Sequence, residues 1–327
     1  MYRRQSVKKI PNSRGHLAAR SGTLRRGDGH AASLSELSTR DIGGVLLRSL
    51  ADRWQVFAGQ AARSRRRPSE RAIHDLRVST RRLIASLEIV RTLLPGDSPS
   101  RIRRQLKRHL KAFSDLRDLQ VQMISVRRLC TRFPALRPFA HLLLGREKLL
   151  LKHARQEIRG MRMQTMERAL ASVENQLEIP LADPLMRDAS HTIAIGALGR
   201  TYWRAATLRA GAMSGKTSRI HRFRIAFKRF RYAVEALQPL LPGVDRRMLK
   251  AMNGYQTRMG NIQDIEVLIA SVNAFARRHG RSAPVQFLRL KEHLMARRKS
   301  LIEEFITAAD ELDSFWHRLS PSGSRRI

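Results

Sequence analysis

His74, Arg77, Arg81 and Glu88 stand at steps of three, four and seven residues, and His221, Arg224, Lys228, Arg231 and Glu235 repeat that rhythm later in the chain. On a helix such steps put side chains in one row. A row of guanidinium, ammonium and imidazole groups is chemistry for holding anions. Arginine presents a planar fork that matches two phosphate oxygens at once. Lysine adds a mobile point charge, and histidine adds a donor whose charge rises when an anion is near. Carboxylates cannot contact phosphate well. Glu88 and Glu235, with Asp118 and Asp264 on the helices that follow, are therefore expected to brace the arginine forks. Arg82 and Arg229 fall beside the row, towards its rim or solvent.

The elements that carry these residues are a repeat. Ile73 to Pro95 aligned on Ile220 to Pro242 gives eight identities in 23 positions, with Arg81 facing Lys228 as a conservative match. The next helix repeats with a shift of one residue. Arg104, Lys107, Lys111, Asp115 and Asp118 then correspond to Lys250, Asn253, Thr257, Asn261 and Asp264. Duplication and a pseudo-two-fold axis follow. In each copy a core stripe runs beside the basic row: Ile73, Leu76, Thr80, Leu83, Leu87, Val90 and Leu94, then Ile220, Phe223, Phe227, Phe230, Val234, Leu237 and Leu241. On the far side of the row lie Val78, Ala85 and Ile89, then Ile225, Tyr232 and Ala236. Cations between two apolar edges imply the wall of a groove rather than a solvated face.

The rest of the chain agrees with an all-α protein of helical hairpins. Prolines and glycines fall between apolar-periodic segments, and no alternating strand is found. Helices are expected from a cap near Ser38 or Thr39, then near 69–94, 98–130, 136–176, 185–212, 216–241, 244–279 and 284–317. That makes two bundles of about four helices, with halves at about 39–182 and 183–320. Residues 1–38 read as a disordered basic tail.

Lys and Arg total 64 against 27 Asp and Glu, a formal charge of +37 in 327 residues. The partner should be a polyanion. The single cysteine, Cys130, excludes a disulfide framework within the chain and fits a reducing compartment. No apolar run reaches membrane-spanning length. The 11 histidines lack metal-ligand spacing. The stretch Gly211–Arg219, "GAMSGKTSR", lacks the first glycine of a phosphate loop and follows no strand, so it reads as a turn between helices. Trp54, Trp203 and Trp316 are expected in the core.

The motifs "HDLRVSTRRL" and "HRFRIAFKRFRYAVE", followed by "RDLQV" and "NIQDIEV", resemble the two halves of a CHAD domain, the conserved-histidine α-helical domain, over roughly Thr39 to Leu319. The resemblance implies pseudo-symmetric helical bundles around a basic central cavity, binding of inorganic polyphosphate, and association with polyphosphate granules in bacterial cytoplasm. Its motif positions here are His74, Arg77, Arg81, Arg82 and Glu88, then His221, Arg224, Lys228, Arg229, Arg231, Tyr232 and Glu235. Adding Arg104, Lys107, Lys111 and Lys250 completes the expected polyphosphate contacts. Ile84 departs from the family, which often has arginine there, while Arg231 keeps it. Some relatives carry a CYTH triphosphatase domain, but strands with alternating Glu and Lys are absent. No cofactor, metal or catalysis is expected, and no membrane. The alternatives are a nucleic-acid-binding protein that uses the basic surface and tail, and a phosphohydrolase acting on polyphosphate or a triphosphate.

Overall fold

The boundaries of the first repeated helix have local causes. Ser69 caps α2 (Glu70–Leu93) by accepting the Ala72 amide at 3.1 Å, one of the donors a helix start leaves open. Leu94 turns extended, with φ −114 and ψ 102, because the proline after it disfavours helical backbone. The computed structural model describes residues 42–94, 97–279 and 284–319. The expected tail and the cap near Ser38 or Thr39 lie outside them.

The described chain is helical throughout, with no strand among the described residues. α1 (Ile42–Arg66) and α2 are followed by α3 (Asp97–Ala112), α4 (Ser114–Leu129), α5 (Arg137–Gly160) and α6 (Met163–Ala182). The second part holds α7 (Pro184–Ala212), α8 (Thr217–Leu237), α9 (Arg246–His279), α10 (Pro284–Thr307) and α11 (Glu311–Leu319). Three long helices expected from periodicity are broken, at Phe113, at Met161–Arg162 and after Thr307. The parts therefore hold six and five helices among the described residues, not about four each. The expected junction at 182 and 183 falls on a helix boundary. There Asp183 accepts the Leu185 amide at 2.9 Å and Pro184 occupies the first turn.

α2 and α8, the two copies of the repeat, pack on each other. α1 and α3 flank α2, and α7 and α9 flank α8. Both expected core stripes are buried apart from the half-buried Leu94. The second copy's phenylalanines feed an aromatic cluster with Tyr255, Phe305 and Phe315. Trp54 is in the core, and Trp316 stacks on Tyr202 at 4.3 Å. Trp203 is 63% exposed, so that expectation fails. It neighbours Tyr202 on α7 but points off the packed face, a difference that residue type alone does not register.

Two glycines matter here. Gly215, at φ 70, reverses the chain between α7 and α8 in a left-handed conformation that side chains resist. It lies in the stretch that resembled a phosphate loop, which is the α7–α8 turn. Gly243 lies so near the Arg318 carbonyl that any side chain would collide with it. That approach closes α11 over the turn into α9.

Candidate anion-binding site

The basic rows of α2 and α8 meet where the two copies pack. Arg81 is the hub. Its charge bears on Arg77 and His74 in its own helix and on Arg224 and Lys228 across the interface. Arg81, Arg224 and Lys228 make no ion pair among the described residues. The Nε atoms of Arg81 and Arg224, and the Nδ1 of His221, are buried without a hydrogen-bond partner. Buried polar atoms are nearly always bonded, so unsatisfied donors on crowded cations are free to donate to an anion.

The crowding is visible in protonation. Burial, then the charges of Arg81, Arg224, Arg77 and Arg231, push Lys228 down to about 7. Burial and Arg81 bring Arg77 down to about 10. Burial lowers Arg224, with Asp264 opposing and Arg81 adding to the effect. His74 is lowered by burial and then by Arg117. Without a ligand, Lys228 is protonated in the unfolded chain up to about 10.5 but in the folded one only up to about 7. The unfolded state therefore binds more protons between those values, and this lysine's contribution to stability falls as pH drops from 10.5 to 7. A bound polyanion reverses its preference. Binding near pH 8 is expected to take up about one proton, measured as a dependence of binding heat on buffer ionisation enthalpy.

A cleft of about 590 Å³ opens beside this cluster, between α2, α3, α7 and α8. Seven cations line it against one carboxylate, Glu88. Arg81, Lys107, Lys228 and Arg229 were expected. Arg103, Arg200 and Arg204 were not. Arg200 and Arg204 sit one helical turn apart on α7, outside the repeat, so no internal comparison could single them out. The repeat's symmetry is not carried into the walls, since α3 contributes Arg103 and Lys107 but no α9 residue lines the cleft.

Several expected contacts have other roles. Arg77 is 5% exposed and donates to the Phe113 carbonyl at the α3–α4 break. Its counterpart Arg224 lies against Gly260 of the unbroken α9, within 3.7 Å of where a Cβ would be. Carbonyls inside a continuous helix already accept from their own ladder, which accounts for the unbonded Nε of Arg224. Arg77 is thus a support. Replacing it with alanine is expected to cost about 2–4 kcal/mol, from a lost charged hydrogen bond and a cavity, read by chemical denaturation.

Glu235 is 9% exposed and takes Arg82 at 3.0 Å and Arg231 at 3.6 Å. Arg231 also donates to Asn253 at 2.6 Å, and its guanidinium lies 4.6 Å over Tyr232. Arg53 of α1 donates to the Glu235 carbonyl at 2.5 Å. Arg82 and Arg231 are therefore parts of a clasp between the copies rather than free contacts, and Glu235 is the brace expected of it. Glu88 is also a brace, but for Arg103, for Arg91 at 3.0 Å and for Lys107 at 3.5 Å. Burial opposes its ionisation, yet the Arg103 hydrogen bond and the surrounding cations hold its carboxyl below the usual range.

Asp118 and Asp264 form no ion pair among the described residues and act on Arg77 and Arg224 only through their charge. They are not struts in contact. Arg104 and Lys250 are exposed and outside the cleft walls, and His74 and His221 also lie outside them. Lys111 lines a separate depression with Arg108, His109 and His153, because α3 turns that face towards α5 and α6. Burial raises the Cys130 thiol, as befits an inert side chain.

The fold and the cluster define an all-helical protein that concentrates unpaired cations where two copies of one helix cross. The chain belongs to the CHAD domain family, whose model matches residues 46–273. It is similar in fold to the crystal structure of the CHAD domain from the plant Ricinus communis. The TM-score is 0.62 at 19% identity, over 88% of this chain and 95% of that one. The comparison with curated proteins returned no match.

Proposed function

We propose that the protein binds inorganic polyphosphate at the Arg81–Arg224–Lys228 cluster and along the cleft beside it, without cleaving it. One observation carries this reading: cations from both copies crowd together with no ion pair to any of Arg81, Arg224 and Lys228 among the described residues, and the guanidinium Nε atoms of Arg81 and Arg224 are buried and unbonded. A linear polyanion supplies what they lack, with a phosphate at each step of the chain. Family membership supports it, since CHAD domains are related to polyphosphate and triphosphate binding. In a cell such binding places the protein on cytoplasmic polyphosphate granules. No helix among the described residues is long and apolar enough to cross a membrane.

The test is binding of long-chain polyphosphate at physiological salt, with DNA as competitor and released phosphate followed. Tight binding that resists equal charge equivalents of DNA, without release, is the expected result. Neutralising seven cations predicts a log–log salt slope of about −5, on the single-strand coefficient of about 0.7 per contact. The formal charge of +37 favours a second reading, a general nucleic-acid binder. Easy displacement by DNA would select it, and metal-dependent phosphate release would select a phosphohydrolase.

A further inference from the structure

The cleft wall is not uniformly polar. Between its cations stand Ile84 and Ile89 of α2, Leu110 of α3, and Ile225 and Tyr232 of α8. Ile225 leaves 42% of its surface open, and Ile84 is half-buried. Ile84 also occupies the repeat position of Arg231, which is turned away into the Glu235 clasp. At this pair of positions, one copy presents carbon to the cleft and the other withdraws its cation. An inorganic phosphate chain has no carbon to set against such a surface. It would leave Ile84 and Ile225 hydrated and gain nothing from them. A cleft of about 590 Å³ in which an apolar strip stands among convergent charges instead suits a small organic anion.

We propose that this cleft takes a phosphoanhydride carrying at one end an organic group with an apolar face. Its phosphates meet Arg81, Lys228 and Arg229, with Arg200 and Arg204 facing them from α7. Its organic body covers Ile84 and Ile225. The inference rests on the reading of the cluster as a phosphate site and adds an end group to it. The shared chemistry has two sources, a nucleoside triphosphate or a prenyl diphosphate.

Titration calorimetry of the full chain separates them. ATP is set against inorganic triphosphate, and farnesyl diphosphate against inorganic diphosphate. At least one organic ligand is expected to bind about tenfold more tightly than its inorganic counterpart, the gain from covering part of one isoleucine. Ile225→Ser should abolish that advantage and leave inorganic binding unchanged, at unchanged helicity. Ile84→Arg should tighten inorganic triphosphate and shrink the same advantage. Organic ligands that bind no better than inorganic ones would overturn the proposal while leaving the polyphosphate reading intact, and so would an Ile225→Ser variant that weakens both alike. No binding by any of the four ligands would also overturn the proposal, and titration with long-chain polyphosphate then decides the polyphosphate reading separately.

Discussion

Polyphosphate affinity is expected to fall by roughly a hundredfold or more when Arg81 and Arg224 are replaced together by glutamine, while stability changes little. Hydrogen bonds to charged groups contribute about 1.5–3 kcal/mol each, and every 1.4 kcal/mol is about tenfold. The salt slope should shrink by about 1.4, at about 0.7 per contact. The stability side differs. Both guanidinium groups crowd Lys228 and have an unbonded buried Nε. Removing Arg81 relieves repulsion, whereas removing Arg224 takes a favourable charge from Asp264, so the melting temperature should change little, and Lys228 should return towards its ordinary value. This contrast separates binding residues from supports, since Arg77→Ala is expected to lose stability. The measurement is polyphosphate titration at several salt concentrations beside thermal denaturation. Undiminished affinity in the double variant would place the site elsewhere.

Glu235→Ala is expected to cost about 3–5 kcal/mol of folding stability, the penalty for removing one partner of a buried ion pair. Arg231 and Glu235 are 8% and 9% exposed as side chains. Arg231 would keep Asn253 and the Tyr232 face but lose its counter-charge, inside a region already rich in cations. Glu88→Ala is the contrasting case. Glu88 has three cationic partners, but it is 40% exposed, and water can replace much of what it provides. Its loss should cost only about 0–1 kcal/mol. Replacing Arg231 with Met and Glu235 with Leu together should restore most of the stability lost in Glu235→Ala, because a well-packed apolar pair often serves as well as a buried ionic one. Arg82, 46% exposed, can rehydrate. Urea denaturation of these variants beside the parent protein decides it. A Glu235→Ala variant as stable as Glu88→Ala would mean that Glu235 does not clasp the copies together.

Much of this was legible in sequence. The repeated helix was found by its identities, and its two core stripes are buried as their spacing requires. Arg81, Arg224 and Lys228 were singled out as cations flanked by carbon, and that environment is what unsettles Lys228. Other expectations failed for tertiary reasons. Arg77 and Arg224 are equivalent in sequence, but α3 breaks at Phe113 and its counterpart helix does not, so one arginine finds a carbonyl and the other does not. Arg231 and Lys228 are neighbours in the same row. One met Glu235 and the other met only cations.

The sequence by itself determined the all-helical class, the duplication, the core stripes and the excess of positive charge. Each of these depends on periodicity or total charge, which are properties of the chain alone. The tertiary structure decided which cations remain free. Pairing depends on distances between helices far apart in sequence, such as Arg82 to Glu235 and Arg103 to Glu88. It also decided that α7, which carries no repeat, completes the cleft with Arg200 and Arg204. No spacing rule within a helix reports what another helix will place opposite it.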